Sequence, residues 1–449
     1  MLPIEKPKEK VLGSATTNPP PNTKVQVTLK PLTISVYFDG TGNNYFNTEA
    51  NRRSDPFKRQ PDTLRKSVSY NNYYSNVAML YLSHKKKPRK HQTVYIEGAG
   101  TFRGKEDQSM PGLGAAGGGS GIGMRVDEAV RAVFDIMEQN KNPPLVSLNV
   151  YGFSRGAAYA RYFCHKIRQA EKGSGKRFTI NFVGLFDTVS SVGTDHYNDV
   201  KEFKLDVGAP EGIRRIVHFT AQNDYRYHFP LTSIKGAVKD GRGFECSFPG
   251  AHSDVGGGYY EPHHDVDLLL SNKDINRTSD KHIYYKWYLE KGYFTEAQLK
   301  FRHHYVSDFN VNEHVTGSRR NVKIDYQFVT AAIMQSLMVK EAGFTKKTDS
   351  QLDKRIREMQ AVPVLDKFYR LADAYVQANY RQNGLDFSVP LLPPEEMKQL
   401  YAGFIHISLD ATDRPFNPNA GSPKAKERGS NGKSNPMRPV RPKVTEGYR

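Results

Sequence analysis

Residues 145–156 read LVSLNVYGFSRG, an apolar, partly β-branched run followed by Gly152-Phe153-Ser154-Arg155-Gly156. The run has the length and composition of a buried strand, and Tyr159, Tyr162, Phe163 and Ile167 recur behind it at the spacing of one helix face. Strand, sharp turn and helix around G-x-S-x-G make a nucleophile elbow, in which a serine is thrust out at the carboxyl end of a strand. Gly152 and Gly156 lack a Cβ, so strand and helix can close on each other. An ordinary strand-to-helix turn could carry the same pentapeptide by chance, but the flanking elements single out Ser154 as the candidate nucleophile.

Upstream, TISVYFDG (33–40) reads as a strand ending in a Gly-Thr-Gly loop, residues 63–84 suggest a helix, and QTVYIEG (92–98) is the next strand. The glycine-rich stretch 112–119 opens a helix with Val126, Val130, Val133, Phe134 and Met137 on one face, stopped by Pro143-Pro144. Downstream, FTINFVGLFDT (178–188), IRRIVHFTA (213–221) and GFECSFPG (243–250) are further strands. Strands alternating with helices predict an α/β fold, a mostly parallel central sheet flanked by helices.

Beyond Tyr260 the pattern changes to a polar, His- and Tyr-rich stretch (261–325), then helices at 327–343 and about 350–382, then a late strand-like piece, GFIHISLD (403–410). The expected organisation is a mobile arm over 1–30, a catalytic core over 31–260 and a C-terminal helical region over 261–412 serving as lid or membrane-docking surface. A disordered tail completes it over 413–449, where nine basic residues stand against three acidic ones.

A serine hydroxyl needs a base to take its proton and a carboxylate to orient that base. In a fold with this elbow the acid and then the histidine follow in the chain, each at the carboxyl end of a strand. His252, in FPGAHSDVGGGY (248–259), stands directly after an apolar strand in a glycine-rich loop and is the leading base; His406 is its rival. Asp187 ends one strand and Asp224 follows another, so both are candidates for the acid, with Asp187 preferred; Asp254 is expected to order its own loop. For the oxyanion hole the backbone N–H of Arg155 is one donor, and Gly40 or Thr41 after the first strand offers the second, unless that loop is only a tight turn.

No metal or other cofactor is expected. His252, Asp254, His263, His264 and Asp265 crowd fourteen residues, but without zinc-site spacing, and an elbow serine needs no metal. The 112–119 glycines lack the Gly-Lys-Ser/Thr ending of a phosphate-binding loop. The net charge of +18 favours an acidic partner. Nucleic acid is set aside, because the basic residues are scattered or lie in turns such as 85–90 and no nucleic-acid-binding motif is present, so the remaining weight falls on phospholipid headgroups. Two cysteines, Cys164 and Cys246, make no disulfide framework and fit a chain made in a reducing cytoplasm. The opening MLPIEKPKEK has charge and proline where a secretory signal needs an apolar stretch, and no run reaches membrane-spanning length.

Together, FDGTGNN (38–44), GFSRGAAYAR (152–161), GLFDTVSSVG (184–193) and FPGAHSDVGGGY (248–259) resemble the catalytic domain of type VI secretion phospholipase effectors, which are bacterial α/β-hydrolases. The motifs span about half the chain in the family's order. The resemblance implies Ser154 as nucleophile, Asp187 as acid and His252 as base. It further implies hydrolysis of glycerophospholipid acyl esters, delivery into a competitor's periplasm with action at the membrane, attachment to a secretion spike or tube protein, and neutralisation by a cognate immunity protein. Two other readings share these residues: a hydrolase-fold binding protein without chemistry, and a non-lipid esterase or acyltransferase.

Overall fold

In the computed structural model the described residues are 31–52, 67–108, 121–141, 145–175, 177–190, 212–224, 231–259, 263–270, 288–307 and 310–408, with isolated positions at 64, 143, 205 and 229 and two short strands, Glu427–Arg428 and Ser434–Asn435. The arm over 1–30, the glycine-rich stretch 112–119 and nearly all of the tail over 413–449 lie outside them.

The first half alternates as expected. Strand β1 (Leu32–Phe38) leads through helices α1 (Tyr45–Arg52), α2 (Val68–Asn71) and α3 (Asn76–Ser83) to β2 (His91–Ile96), α4 (Ile122–Gln139), β3 (Leu145–Phe153) and α5 (Arg155–Ser174). Then come β4 (Arg177–Phe186), β5 (Ile213–Ala221), the short α6 (Lys235–Lys239), β6 (Gly243–Phe248) and the short α7 (His252–Gly256). The expected 63–84 helix is thus two pieces separated at Asn72–Ser75, where Ser75 caps α3 by accepting the Ala78 N–H.

Within residues 261–325, a polar stretch expected to open the C-terminal helical region, the described residues instead form β7 (His263–Leu270), β8 (Leu299–Ser307) and β9 (Asn310–Lys323), an antiparallel sheet in the order β7-β9-β8. Helix α8 (Gln327–Glu341) follows, and the expected 350–382 helix is broken by Pro363 into α9 (Gln351–Gln360) and α10 (Pro363–Asn379). Strand β10 (Gly384–Ser388) and helix α11 (Pro394–Gly403) complete the described elements before 404–408. The late strand is not formed: Gly403 ends α11, and of 404–408 only Ser408 makes a bridge, to Asp224.

Seven strands make the main sheet in the order β10-β6-β5-β4-β3-β1-β2, every neighbouring pair parallel. Period-2 alternation splits their side chains between two cores. Ile34, Val36, Phe38, Leu148 and Val150 pack with α4 and α5 on one face, while Tyr37, Tyr151 and Phe153 pack with α3 and α8–α10 on the other. Helix α8 is buried nearly all round, as a helix apolar on every side must be.

The boundary expected at residue 260 does not coincide with an edge of this structure. Strand β10 is a strand of the main sheet, α8 lies in its core, and Pro31–Arg449 clusters as one unit. Two buried arginines fasten the later elements by capping helix carboxyl ends. Arg215 on β5 donates to Tyr380 O and Gln382 O after α10, and Arg319 on β9 donates to Tyr401 O and to Ile405 O.

Candidate functional site

The chain builds β1, runs outward to β2, and returns to place β3 on the other side of β1. Such a reversal opens a crevice at the carboxyl ends of the two strands, where open α/β sheets hold their ligands. Ser154 stands at that point, directly after β3. Its backbone has φ 58 and ψ −127, a strained conformation for a non-glycine residue and the mark of a nucleophile elbow. The flanking glycines are required by contact. A Cβ on Gly152 would lie 2.5 Å from Gly156 O, and one on Gly156 would lie 2.3 Å from Asp39 O.

The main chain of Ser154 is joined on both sides to the segment that carries Asp187. Its N–H donates to Phe186 O at 3.1 Å, and its C=O accepts the Val189 N–H at 3.3 Å. Between those two residues lies Asp187, also at positive φ (37) and fully buried. Its N–H donates to Phe219 O at 2.7 Å, and its Oδ1 accepts the Ala221 N–H at 2.9 Å. Its Oδ2 is 2.6 Å from His252 Nδ1, so an ionised carboxylate there places the imidazole proton on Nδ1 and leaves Nε2 as a proton acceptor.

His252 opens α7 rather than lying in an extended loop. Its ring packs on Phe153, the residue before Ser154, with centroids 4.6 Å apart. Phe153 is the common floor: a Cβ on Gly40 or Gly256 would fall within 2.5 Å of its ring, so the loop after β1, the elbow and the histidine turn converge on it.

Asp224 also reaches His252, but at the main chain, where its Oδ2 accepts the His252 N–H at 3.1 Å. His406 is paired elsewhere, its Nδ1 2.7 Å from Asp254 Oδ1 and its N–H donating to Asp254 Oδ2 at 2.9 Å. Asp254 Oδ2 also accepts the Ala251 N–H at 2.8 Å, so Asp254 orders its own turn, as expected, and ties that turn to the segment after α11.

Of the expected oxyanion donors, Arg155 opens α5, where the first N–H groups have no partner within the helix. The Gly40 N–H is committed to Asp39 Oδ1 at 2.8 Å, so Thr41 is the remaining candidate from that loop. Asp39 is buried and also accepts from Ser75 Oγ and Tyr95 Oη, both at 2.5 Å. Burial lifts its carboxyl to about 6, against the pull of those three hydrogen bonds. No group of His, Cys, Asp or Glu that could hold a metal occurs among the described residues.

Sequence reasoning missed a buried set beside Asp187. Thr188 N–H donates to His218 Nε2 at 3.0 Å, and His218 Nδ1 is 2.8 Å from Glu245 Oε2. His218 and Glu245 are register partners on β5 and β6, and the signal for them was a charged residue inside an apolar strand, GFECSF, beside one carrying a histidine, IRRIVHFTA.

No curated protein matches the chain. Among solved structures, one titled "Structure of the Tle1 effector bound to the VgrG spike from the Type 6 secretion system" is similar over 84% of this chain and 84% of its own, at 25% identity and a TM-score of 0.56. An uncharacterized protein from Pseudomonas aeruginosa is similar over 51% of this chain and 42% of its own, at 21% identity and a TM-score of 0.36. Residues 33–170 and 164–290, more than half of the sequence and containing Ser154, Asp187 and His252, match the family described as "T6SS, Phospholipase effector Tle1-like, catalytic domain". The chain therefore belongs to the Tle1-like phospholipase effectors of type VI secretion.

Proposed function

We propose that the protein is a serine esterase of the phospholipase A type, hydrolysing acyl esters of membrane glycerophospholipids. The observation that carries this reading is the 2.6 Å approach of Asp187 Oδ2 to His252 Nδ1 beside a serine held in the strained elbow conformation. Ser154 Oγ attacks the acyl carbonyl carbon while His252 Nε2 takes its proton, and Asp187 stabilises the imidazolium. The N–H groups of Arg155 and Thr41 receive the developing oxyanion. The proton then passes to the departing lysophospholipid oxygen, and water releases the fatty acid from the acyl-enzyme by the same base.

The family membership supports delivery into a target cell by type VI secretion, action at the target membrane from its periplasm, and neutralisation by a cognate immunity protein. The similar Tle1 structure is bound to a VgrG spike, which supports a spike protein as carrier here as well. Incubation with anionic and zwitterionic liposomes tests the activity: free fatty acid should appear with the native protein and be lost in Ser154→Ala. Equal release by the two proteins rejects the reading.

A further inference from the structure

The acid's position depends on a backbone geometry that a non-glycine residue does not hold unaided. Asp187 sits at φ 37, and such strain persists only where the surroundings over-determine it. Its own N–H and Oδ1 are tied to β5. The N–H of the peptide that follows is tied to His218. Thr188 N–H donates to His218 Nε2 at 3.0 Å, and Thr188 Oγ1 lies 3.0 Å from the same nitrogen.

A backbone N–H can only donate, so Nε2 must carry the lone pair and Nδ1 the proton. That proton points at Glu245 Oε2, 2.8 Å away, which also accepts the Ile234 N–H at 3.0 Å. Glu245 therefore selects the tautomer: with the proton on Nε2 instead, two donors would face each other at Thr188. All three residues are buried, so water has no ready access to replace a lost partner. The segment is closed from the other side by Thr232, whose N–H donates to Thr188 O at 2.8 Å and whose Oγ1 accepts the Ser190 N–H at 3.1 Å.

We propose that His218, with its tautomer fixed by Glu245, is a positioning residue that holds the Asp187–Thr188 peptide so that the Asp187 carboxylate meets His252. This rests on the triad reading of Ser154, Asp187 and His252. His218 touches no reacting atom. Without its acceptor the 187–188 peptide turns toward a relaxed conformation and carries Oδ2 off the imidazole, and misplacement by about 1 Å is worth on the order of a hundredfold in rate.

The test compares His218→Leu, His218→Gln and Glu245→Gln with the native protein in fatty acid release from mixed micelles and in the rate at which a fluorophosphonate labels Ser154. His218→Leu fills space without an acceptor and should lower kcat and the labelling rate by roughly a hundredfold with KM unchanged. His218→Gln, whose amide oxygen can take the Thr188 N–H, should recover most of that loss. Glu245→Gln, which lets the ring adopt either tautomer, should fall between them and covers the case in which the leucine variant does not fold. Equal kcat in His218→Gln and His218→Leu, or native kcat in Glu245→Gln, overturns the proposal. Ser154→Ala and Asp187→Asn run alongside: native turnover in either refutes the triad reading itself, whereas a large loss in both with unchanged His218 and Glu245 variants refutes only the positioning role.

Discussion

Two aspartates grip one histidine, and they grip different parts of it. Asp187 meets the His252 ring and Asp224 its main-chain N–H, so the two should separate by substitution. Asp187→Asn removes the charge that holds the imidazole tautomer and should lower fatty acid release about ten-thousandfold without loss of fold. Asp224→Asn keeps an oxygen for the His252 N–H and should cost far less. A reversed ranking in steady-state assays would make Asp224 the acid. His406→Ala breaks the bond to Asp254 and should lower the melting temperature while retaining most turnover. A second test at this scale concerns the buried pair His84 and His91, whose rings lie 4.2 Å apart. Burial pushes them down to about 3 and about 4, so they stay neutral in the fold while the unfolded chain protonates them below roughly 6.5. The unfolded state then binds more protons, and the stability they provide, complete above that pH, drains away as pH falls toward 4 and 3. Asp39, raised to about 6, acts oppositely between about 6 and 3.8, and burial raises Glu97 and Asp107 in the same sense. Between pH 7 and pH 4.5 the native protein should therefore lose more melting temperature than His84→Gln does; an equal change in that variant would clear His84 of the effect.

At the scale of elements the elbow is a close-packed joint of β1, β3 and α5. Gly156→Ala sets a Cβ against Asp39 O and Phe38 O, backbone atoms that cannot step aside, and should destabilise the protein by about 1–3 kcal/mol while pushing the Thr41 loop away from Ser154. Calorimetry and turnover measured on the same variant check both halves; a native melting temperature would mean that the joint is looser than these distances. The joint was legible in the sequence because it is local: an apolar run, two glycines at fixed offsets and a periodic helix leave few alternatives. So were Asp187 and His252, since each directly follows or ends an apolar strand. Where pairing partners are remote the sequence was silent or misleading. GLDFS at 384–388 is a short, half-exposed edge strand with no apolar run to announce it, and it joins the sheet only because β6 offers it a free edge. GFIHISLD has the alternation of a strand, but its His406 bonds sideways to Asp254 and leaves the segment as a strap. The His218 and Glu245 pair needed knowledge that β5 and β6 are neighbours in register.

For the whole molecule, the net charge of +18 should draw it to anionic vesicles, each basic residue near the surface contributing about 1 kcal/mol before screening. No helix among the described residues is long and apolar enough to cross a membrane. Attachment by charge should weaken with salt. Co-sedimentation with anionic vesicles should fall steeply at 1 M salt, where the Debye length is about 3 Å; unchanged binding would assign attachment to apolar contact instead. One further consequence follows from the strap. Ser154, Asp187 and His252 are all translated before β10 and before the 405–408 segment that anchors the histidine turn through Asp254 and Asp224. A chain ended after Asn379 should thus contain the whole triad and release no fatty acid from liposomes. On the proposed mechanism, the residues that would react leave the ribosome before the main-chain contacts of 405–408 that order the histidine turn, so a chain cut short of them should be made without activity.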